Sequence, residues 1–255
     1  MELTALGTSG GWPGAGRAAS GYLVSHDDAN LVLDFGTGTL SRLQGLLDLN
    51  DLTGIVISHA HYDHFLDLYP LFIARFYEEC PTGPIPVVAP EGFFEHLYKL
   101  TDDMGADMRT VIEPQEIAFG ATTELGPFRI ETHSMRHLVP TIGVRVSADG
   151  TTLAYTGDTG PTEELEALAR GADALLSEAA LQDMDEPPWF HLSARQAGEN
   201  ATRAGVDRLV LSHFWPTHDR ERSREQASEA FDGGLELLEE GDRLEIGGLR
   251  RGVEP

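Results

Sequence analysis

Three histidines and one aspartate fall close together at His59, His61, Asp63 and His64, directly after an apolar run at residues 55–57. Imidazole nitrogen and carboxylate oxygen suit zinc, manganese and iron, whereas structural zinc sites more often use thiolates, and this chain has one cysteine. A catalytic ion keeps an open position for water, so this many candidate ligands in one short segment favour two ions over one. The spacing therefore predicts a binuclear metal centre at the end of a buried strand, and a hydrolase is the first hypothesis.

The alternative interpretation is that these residues share a solvated turn, which is the usual explanation for a single polar histidine. Further polar residues argue against it, because each follows a strand-like segment elsewhere in the chain: His137, Asp158 and His213. Residues at strand ends lie on loops that a rigid scaffold can bring together. We therefore expect these three side chains to complete the metal centre.

Short apolar runs separated by Gly, Asp and Pro turns predict β-strands in two batches. The first batch comprises residues 3–6, 21–25, 31–34 and 55–58, and the second comprises 128–132, 142–146, 152–155, 174–176 and 208–211. Helices are predicted at residues 66–77, 91–100, 161–170 and 193–204, the last with Ser193 as its N-cap.

Because helices close each batch of strands, we predict an α+β fold in which two sheets pack face to face with helices outside. The candidate ligands are expected on loops at one edge of this sandwich. With 255 residues, 41% of them hydrophobic, and no linker-like break, the chain can bury a large core. We expect one domain over residues 1–255, made of two packed halves.

The charge balance is strongly acidic, with 42 acidic against 18 basic residues and a formal net charge of −24. Lys99 is the only lysine. Affinity for a phosphate backbone comes largely from Lys and Arg, so binding to duplex DNA or long RNA is disfavoured. Small substrates drawn by metal ions remain compatible with this surface. A salt-adapted host and a GC-rich genome explain the lysine content equally well.

Two observations bear on location. The chain enters a strand pattern at Glu2 without a charged and apolar leader, and it has no apolar run of membrane-spanning length. A cytoplasmic enzyme without membrane attachment is expected. Cys80 cannot form an intrachain disulfide, which fits a reducing compartment.

Two further segments have more than one interpretation. The glycine-rich stretch at residues 7–16 could wrap a phosphate with backbone N–H groups, but it lacks the lysine and the following helix of a P-loop, so a turn between strands is favoured. The apolar segment at residues 65–77 fits a homodimer interface or a buried core helix, and the core helix is slightly favoured.

Several motifs, taken in chain order, resemble the metal motifs of the metallo-β-lactamase superfamily. They are His59-x-His61-x-Asp63-His64, His137 followed by Leu138-Val139-Pro140, Gly157-Asp158-Thr159 and Ser212-His213-Phe214. Within that superfamily, His191-Leu192-Ser193-Ala194, Leu176-Ser177-Glu178-Ala179 and the residues around His213 are most similar to ribonuclease Z and its relatives. The resemblance implies a four-layered αβ/βα sandwich, which agrees with the two batches of strands.

The resemblance also implies two divalent ions, with zinc expected and manganese or iron as alternatives. The implied ligands are His59, His61 and His137 for one ion, Asp63, His64 and His213 for the second, and Asp158 as a bridge between both.

Three residues would then act in catalysis. Asp63 would also orient the attacking water. By the same resemblance, His191 would stabilise or protonate the departing oxygen of a phosphodiester, and Glu178 would position His191. The competing interpretation of His191 is a solvated loop residue.

One departure from ribonuclease Z bears on the substrate. In ribonuclease Z a long arm that grips tRNA lies between the third and fourth metal motifs, whereas here His137 and Asp158 are separated by an interval long enough for two strands and the Ala148-Asp149-Gly150 turn. The chain therefore looks more similar to the short relatives that include cyclic-nucleotide phosphodiesterases. A Gly-Thr-Ser-Gly start, an Ala-Ser-Gly-Tyr-Leu segment ending at Leu23, and Asp34-Phe35-Gly36 resemble that short subgroup too.

The leading hypothesis is a phosphodiesterase acting on a small phosphodiester such as a 3′,5′-cyclic nucleotide. Trp189 and Phe190 could stack on the base, or pack against the sandwich. The alternatives are tRNA 3′ processing, a thioester or lactam hydrolase of the same fold, which would not need the His191 and Glu178 pair, and a binding module without catalysis.

Overall fold

The strands of the computed structural model form two sheets. The structure describes residues 1–77, 82–99, 101, 107–182 and 190–247, and within these residues each sheet has seven strands. The strands of the first sheet are β1 (Glu2–Gly7), β2 (Gly21–His26), β3 (Ala29–Phe35), β4 (Gly54–Val56), β5 (Ile85–Pro90), β6 (Ile112–Ile117) and β14 (Arg243–Glu245). Those of the second sheet are β7 (Thr122–Leu125), β8 (Phe128–Ser134), β9 (Ile142–Ala148), β10 (Thr151–Tyr155), β11 (Ala174–Glu178), β12 (Arg208–Ser212) and β13 (Gly234–Leu237).

The two sheets follow the same plan. The first has the order β14-β1-β2-β3-β4-β5-β6, antiparallel from β14 to β3 and parallel from β3 to β6. The second has the order β13-β12-β11-β10-β9-β8-β7, antiparallel from β7 to β10 and parallel from β10 to β13. Parallel neighbours end at the same edge of a sheet, so the carboxyl ends of β3, β4, β10, β11 and β12 can present side chains to one site.

Helices cover the outer face of each sheet. Those on the first sheet are α1 (Thr39–Leu43), α2 (Tyr62–Phe65), α3 (Leu68–Tyr77) and α4 (Phe93–Tyr98). Those on the second are α5 (Glu164–Ala169), α6 (Ala194–Ala204) and α7 (Arg220–Ser228). None of the helices in the described part of the chain has the length and apolarity that crossing a membrane requires.

The core is divided into layers by the alternation of side chains along the strands. Leu33 and Val56 lie in the cluster between the sheets, together with Phe128 of the second sheet. Their neighbours Val32 and Ile55 lie in the cluster beneath the helices of the first sheet. Strands buried on both faces read as continuous apolar runs, which is why they were recognisable in the sequence. The predicted four-layered αβ/βα sandwich is confirmed.

Several predicted boundaries differ from the structure by two or three residues, including the starts of α3 at Leu68 and α4 at Phe93. The strand predicted to end at Ser58 ends at Val56, because the Ser58 N–H donates to Asp34 Oδ1 at 2.6 Å instead of continuing the ladder. The helix predicted from residue 161 begins at Glu164. The helix predicted at residues 91–100 corresponds to α4, which ends at Tyr98. Residue 100 lies outside the described residues.

Helix α3 has a buried and an exposed face. Leu68, Leu71 and Phe72 are fully buried, which agrees with a core helix, while Phe76 and Tyr77 are 41% and 77% exposed. The homodimer stays a prediction.

The start of α6 provides a test of the local sequence signal, because Ser193 caps it as predicted. Ser193 Oγ accepts from the Gln196 N–H at 3.2 Å, and Gln196 Oε1 accepts from the Ser193 N–H at 2.9 Å. We expect Ser193→Ala to lower the free energy of unfolding by about 1 kcal/mol, measured by urea denaturation. Ser228→Ala, at the exposed end of α7, is the matched control and should change it by less than about 0.5 kcal/mol. Equal effects of the two substitutions would show that the cap contributes nothing.

Candidate metal centre

The predicted ligands converge at the carboxyl-terminal edge of the two sheets. The segment from His59 to His64 follows β4, His137 lies between β8 and β9, Asp158 follows β10, and His213 follows β12. A backbone hydrogen bond from the β9 residue Ile142 to the loop after β4 ties the two halves together at this edge.

One group of ligand atoms contains three histidines and an aspartate. His61 Nδ1 lies 3.0 Å from His59 Nε2 and 3.0 Å from His137 Nε2. The ligand atoms of these histidines and of Asp158 all lie within 4.8 Å of one another. Three ring nitrogens therefore face a common point, as they do around a metal ion.

A second group consists of Asp63, His64 and His213. His64 Nε2 and His213 Nε2 lie 3.4 Å and 4.0 Å from Asp63 Oδ2. All three side chains are at least nine-tenths buried. This group is a separate candidate cation position beside the first.

The carboxylate of Asp158 stands between the two groups. Its Oδ1 lies 3.3 Å from His64 Nε2 and 3.2 Å from His213 Nε2. Its Oδ2 lies 3.6 Å from His59 Nε2 and 3.8 Å from His137 Nε2. Each oxygen thus faces a different set of histidines, which is the arrangement that a bridging ligand requires.

Three buried atoms at this point have no hydrogen-bond partner among the residues that the structure describes: His64 Nε2, His213 Nε2 and Asp158 Oδ1. Buried polar atoms in folded proteins nearly always have a partner, so orphaned atoms converging on one point need one. Nitrogen and carboxylate oxygen are ligands for a divalent cation. The donor set therefore fits the metal that the sequence predicted.

The other ring nitrogen of four histidines is held by the protein. The Nδ1 contacts are His59 to Ser58 Oγ (2.9 Å), His64 to Asp34 Oδ2 (2.6 Å), His137 to the Phe190 carbonyl (2.7 Å) and His213 to Ser20 Oγ (2.7 Å). Such contacts fix the ring orientation of metal-binding histidines. They leave Nε2 of all four rings directed at the centre, whereas His61 presents Nδ1.

Asp34 has the largest of these anchoring roles. The sequence analysis named it only within the Asp34-Phe35-Gly36 resemblance and missed this role. Its carboxylate is fully buried and accepts from Ser58 N–H (2.6 Å), Ser58 Oγ (2.8 Å), Tyr155 OH (2.5 Å) and, through the contact above, His64. Its position at the end of a buried strand was the available signal. The role of Gly36 was missed as well: a Cβ there would lie 1.9 Å from the Asp63 carbonyl oxygen, so only glycine fits.

Charges in the centre shift the pKa values of its members. Burial lowers the pKa of His64, but Asp158, Asp63 and Asp34 outweigh burial and raise this pKa well above its ordinary value. Burial raises the pKa of Asp158, but His213, His64 and His59 outweigh it and hold this pKa well below the usual range. The carboxylate is therefore ionised, as a metal ligand must be.

His191 and Glu178 lie beside the bridging carboxylate. His191 Nδ1 is 3.1 Å and 3.2 Å from the two oxygens of Glu178 and 3.8 Å from Asp158 Oδ2. Glu178 is buried and also accepts from the Thr159 N–H at 2.6 Å. Burial lowers the pKa of His191, but Glu178 outweighs it and raises this pKa to about 9. The pair can hold a proton next to the candidate metal positions.

The structure brings together all seven candidate ligands with His191 and Glu178, while their roles as ligands and catalysts stay predictions. Of the aromatic pair proposed to stack on a base, Trp189 lies outside the described residues. Phe190 is partly buried, and its carbonyl anchors His137.

Comparisons with known proteins agree with the motifs. Residues 30–214 match the family described as beta-lactamase superfamily domain. An uncharacterized protein of Mycobacterium leprae is 34% identical over 253 residues, which cover 96% of this chain and 89% of that protein. The ribonuclease Z of Mycolicibacterium gilvum is 30% identical over 277 residues, which cover 96% of each chain.

A solved structure agrees as well. The crystal structure of the metallo-beta-lactamase fold protein YhfI from Bacillus subtilis matches with a TM-score of 0.87 and 28% identity, covering 96% of this chain and 98% of that one. The predicted resemblance is confirmed. The chain belongs to the β-lactamase superfamily and is a metallo-hydrolase similar to ribonuclease Z.

Proposed function

We propose that this metallo-hydrolase is a binuclear phosphodiesterase whose substrate is a small phosphodiester, with a 3′,5′-cyclic nucleotide as the leading candidate. The observation that carries the proposal is the Asp158 carboxylate, whose two oxygens face separate groups of histidines while His191 stands beside it. Two divalent cations supply Lewis acidity, which neutralises the charge of a phosphoryl group and acidifies water. The name of the relative ribonuclease Z supports a phosphodiester as the class of substrate.

The proposed ligand sets follow the two groups of side chains. They are His59, His61 and His137 for one ion, Asp63, His64 and His213 for the other, and Asp158 for both. We propose zinc as the metal, since imidazole and carboxylate suit it, and manganese and iron fit the same donors.

His191 is proposed to protonate the leaving oxygen. Because the carboxylate of Glu178 faces Nδ1 of His191, the Nε2 atom is free to carry a proton to substrate. A protonated imidazole within hydrogen-bond reach of the departing oxygen is a general acid. Glu178 acts through His191 and is a positioning residue.

Asp63 is proposed to orient the attacking water. The Gly11 N–H donates to Asp63 Oδ2 at 2.6 Å and fixes the carboxylate in the centre. His64 and His213 outweigh the opposing effect of burial and lower the pKa of Asp63, so it stays ionised and can accept a hydrogen bond from the attacking water.

Two observations support a small substrate. The interval between His137 and Asp158 contains β9, β10 and a turn at Asp149 and Gly150, both with positive φ (47° and 76°), and these residues leave no space in the sequence for a tRNA-gripping arm. The net charge of −24 also opposes a long polyanion. The 30% identity to a ribonuclease Z makes precursor tRNA the second candidate substrate.

The bridging role of Asp158 predicts coupled losses of metal and activity. We expect Asp158→Ala to lower the metal content below two ions per chain and to reduce turnover by more than about a hundredfold. Metal content is measured by atomic emission on reconstituted protein. Asp28→Ala removes an exposed carboxylate and should alter neither quantity. An Asp158→Ala variant with full metal content and activity would refute the bridge.

The anchoring role of Asp34 predicts a weaker metal site in a folded protein. Asp34→Asn keeps the side-chain volume but replaces one acceptor oxygen with a donor that faces other donors. We expect the affinity for zinc to fall about 10- to 100-fold in competition with a chelator. Tyr155→Phe removes one of the donors to Asp34 and should lower the affinity for zinc by a smaller factor. Unchanged affinity in Asp34→Asn would contradict this role.

Hydrolysis of 3′,5′-cyclic AMP by zinc-loaded protein tests the proposed function directly. We expect His191→Ala to lower kcat about 10²- to 10⁴-fold while the metal content is retained. His133→Ala is the matched control, because His133 pairs with Glu131 and Glu164 away from the centre. Precursor tRNA is tested in parallel, and cleavage of tRNA alone would favour the second candidate.

A further inference from the structure

The glycine-rich stretch at residues 7–16 is part of the candidate active site. It leaves β1 and folds over the segment that carries His213. The Gly10 N–H donates to the Phe214 carbonyl at 2.9 Å, and the Phe214 N–H donates to the Thr8 carbonyl at 3.0 Å. The predicted turn between strands therefore also lines the candidate active site.

The close fit of this loop to the metal centre leaves no space for a side chain at Gly10. A Cβ at Gly10 would lie 2.6 Å from His213 Cδ2, nearer than real contacts allow. The Gly11 N–H donates to Asp63, as described above. The main chain of the residue after these glycines is consequently held beside the ligands.

Trp12 follows them, and its indole is 45% exposed. Its ring centroid lies 6.4 Å from that of Trp215, with the planes tilted by 42°. Trp215 in turn lies 6.4 Å from the His191 ring at an angle of 74°. We call Trp12 and Trp215 the aromatic wall. Trp215 lies next to His191 at one end of the aromatic wall. Trp12 forms the other end, and its exposed surface is free for a ligand.

We propose that the aromatic wall binds the nucleobase of the substrate by stacking. This inference rests on the proposed function. If His191 protonates the leaving oxygen of a nucleotide phosphodiester, that oxygen belongs to the sugar that also carries the base. The base must then lie on the His191 side of the centre, where the wall stands. Every base has a π-face, and stacking on an aromatic side chain is a general way to bind one.

Other exposed apolar residues near the ligands are less suited to this role. Tyr62 is 59% exposed, but its ring contacts Phe65 and His96 on the opposite side, towards α4. Leu138, 65% exposed, has no aromatic face.

The charges next to the wall also favour a neutral base over a second phosphate. A cavity of about 290 Å³ borders Trp215 and is lined by Arg17, Arg220 and Glu239. Both arginines pair with Glu239, at 3.1 Å and 3.0 Å. Asp219 and Glu221 line the same cavity, so its acidic residues outnumber its arginines. Stacking needs no net positive charge, which suits this acidic chain.

The test compares 3′,5′-cyclic AMP with the 3′,5′-cyclic phosphate of methyl riboside, which lacks the base. We expect Trp12→Ala to raise KM for cyclic AMP about tenfold and to lower the kcat/KM ratio of cyclic AMP to the base-free compound by a similar factor. Trp12→Phe should recover most of this selectivity. Phe119→Ala is the matched control, since Phe119 is 49% exposed on the loop between β6 and β7. A loss that phenylalanine does not recover would indicate a disturbed loop and overturn the proposal.

Binding of 5′-AMP to the same zinc-loaded proteins, measured by saturation-transfer NMR, separates this inference from the proposed function. Adenine proton signals that appear with the unaltered protein and weaken in Trp12→Ala support base binding by the aromatic wall. If these signals appear but cyclic AMP is not hydrolysed, only the proposed function fails. Hydrolysis of cyclic AMP with the same KM and the same adenine signals in both proteins overturns the wall and leaves the phosphodiesterase standing. Absence of both hydrolysis and adenine contact overturns both proposals.

Discussion

The buried carboxylate of Asp34 is the interaction on which the metal centre depends. It is fully shielded from solvent and takes hydrogen bonds from Ser58, His64 and Tyr155. Burying a carboxyl group away from water is costly unless its oxygens are satisfied, so these donors must be in place together. Ser58 belongs to the loop after β4 of the first sheet and Tyr155 to β10 of the second. Satisfying one carboxylate therefore fixes the two halves of the sandwich relative to each other at the edge where the ligands meet.

The same carboxylate sets the direction of the histidines. It contacts His64 Nδ1 directly, and it holds Ser58, whose hydroxyl contacts His59 Nδ1 at 2.9 Å. One histidine of each candidate metal group is thus oriented by Asp34, and the Asp158 carboxylate lies between their Nε2 atoms. Members of such a buried polar network depend on one another, because losing one leaves its partners unpaired in a medium of low dielectric. The two groups are accordingly one structural unit.

The sequence predicted the layers, most of the buried strands and the residues gathered at the centre, because these signals are local: apolar runs, and polar residues directly after them. The buried strand β5 (Ile85–Pro90) was missed, since two of its six residues are prolines. Strand β6 (Ile112–Ile117) was missed since it contains Pro114 and is exposed at several positions. Helix α7 (Arg220–Ser228) was missed since its residues are nearly all polar and give no apolar stripe. The role of Asp34 depends on contacts with residues as far away as Tyr155, 121 positions along the chain, and no local pattern reports such a distance.

The glycine-rich loop contacts two candidate metal ligands and also carries Trp12, the residue proposed to bind the base. Gly10 brings the backbone so close to His213 that a side chain there would collide with this ligand, and the Gly11 N–H binds Asp63. A backbone held this closely carries little conformational freedom, so the main chain that carries Trp12 is positioned before any substrate arrives, and Trp215 lies beside its indole. A preorganised aromatic surface loses less entropy on binding than a mobile one. The small-residue sequence that first resembled a phosphate loop is explained by its proximity to the metal ligands, because glycine is the residue that lets a second element approach them.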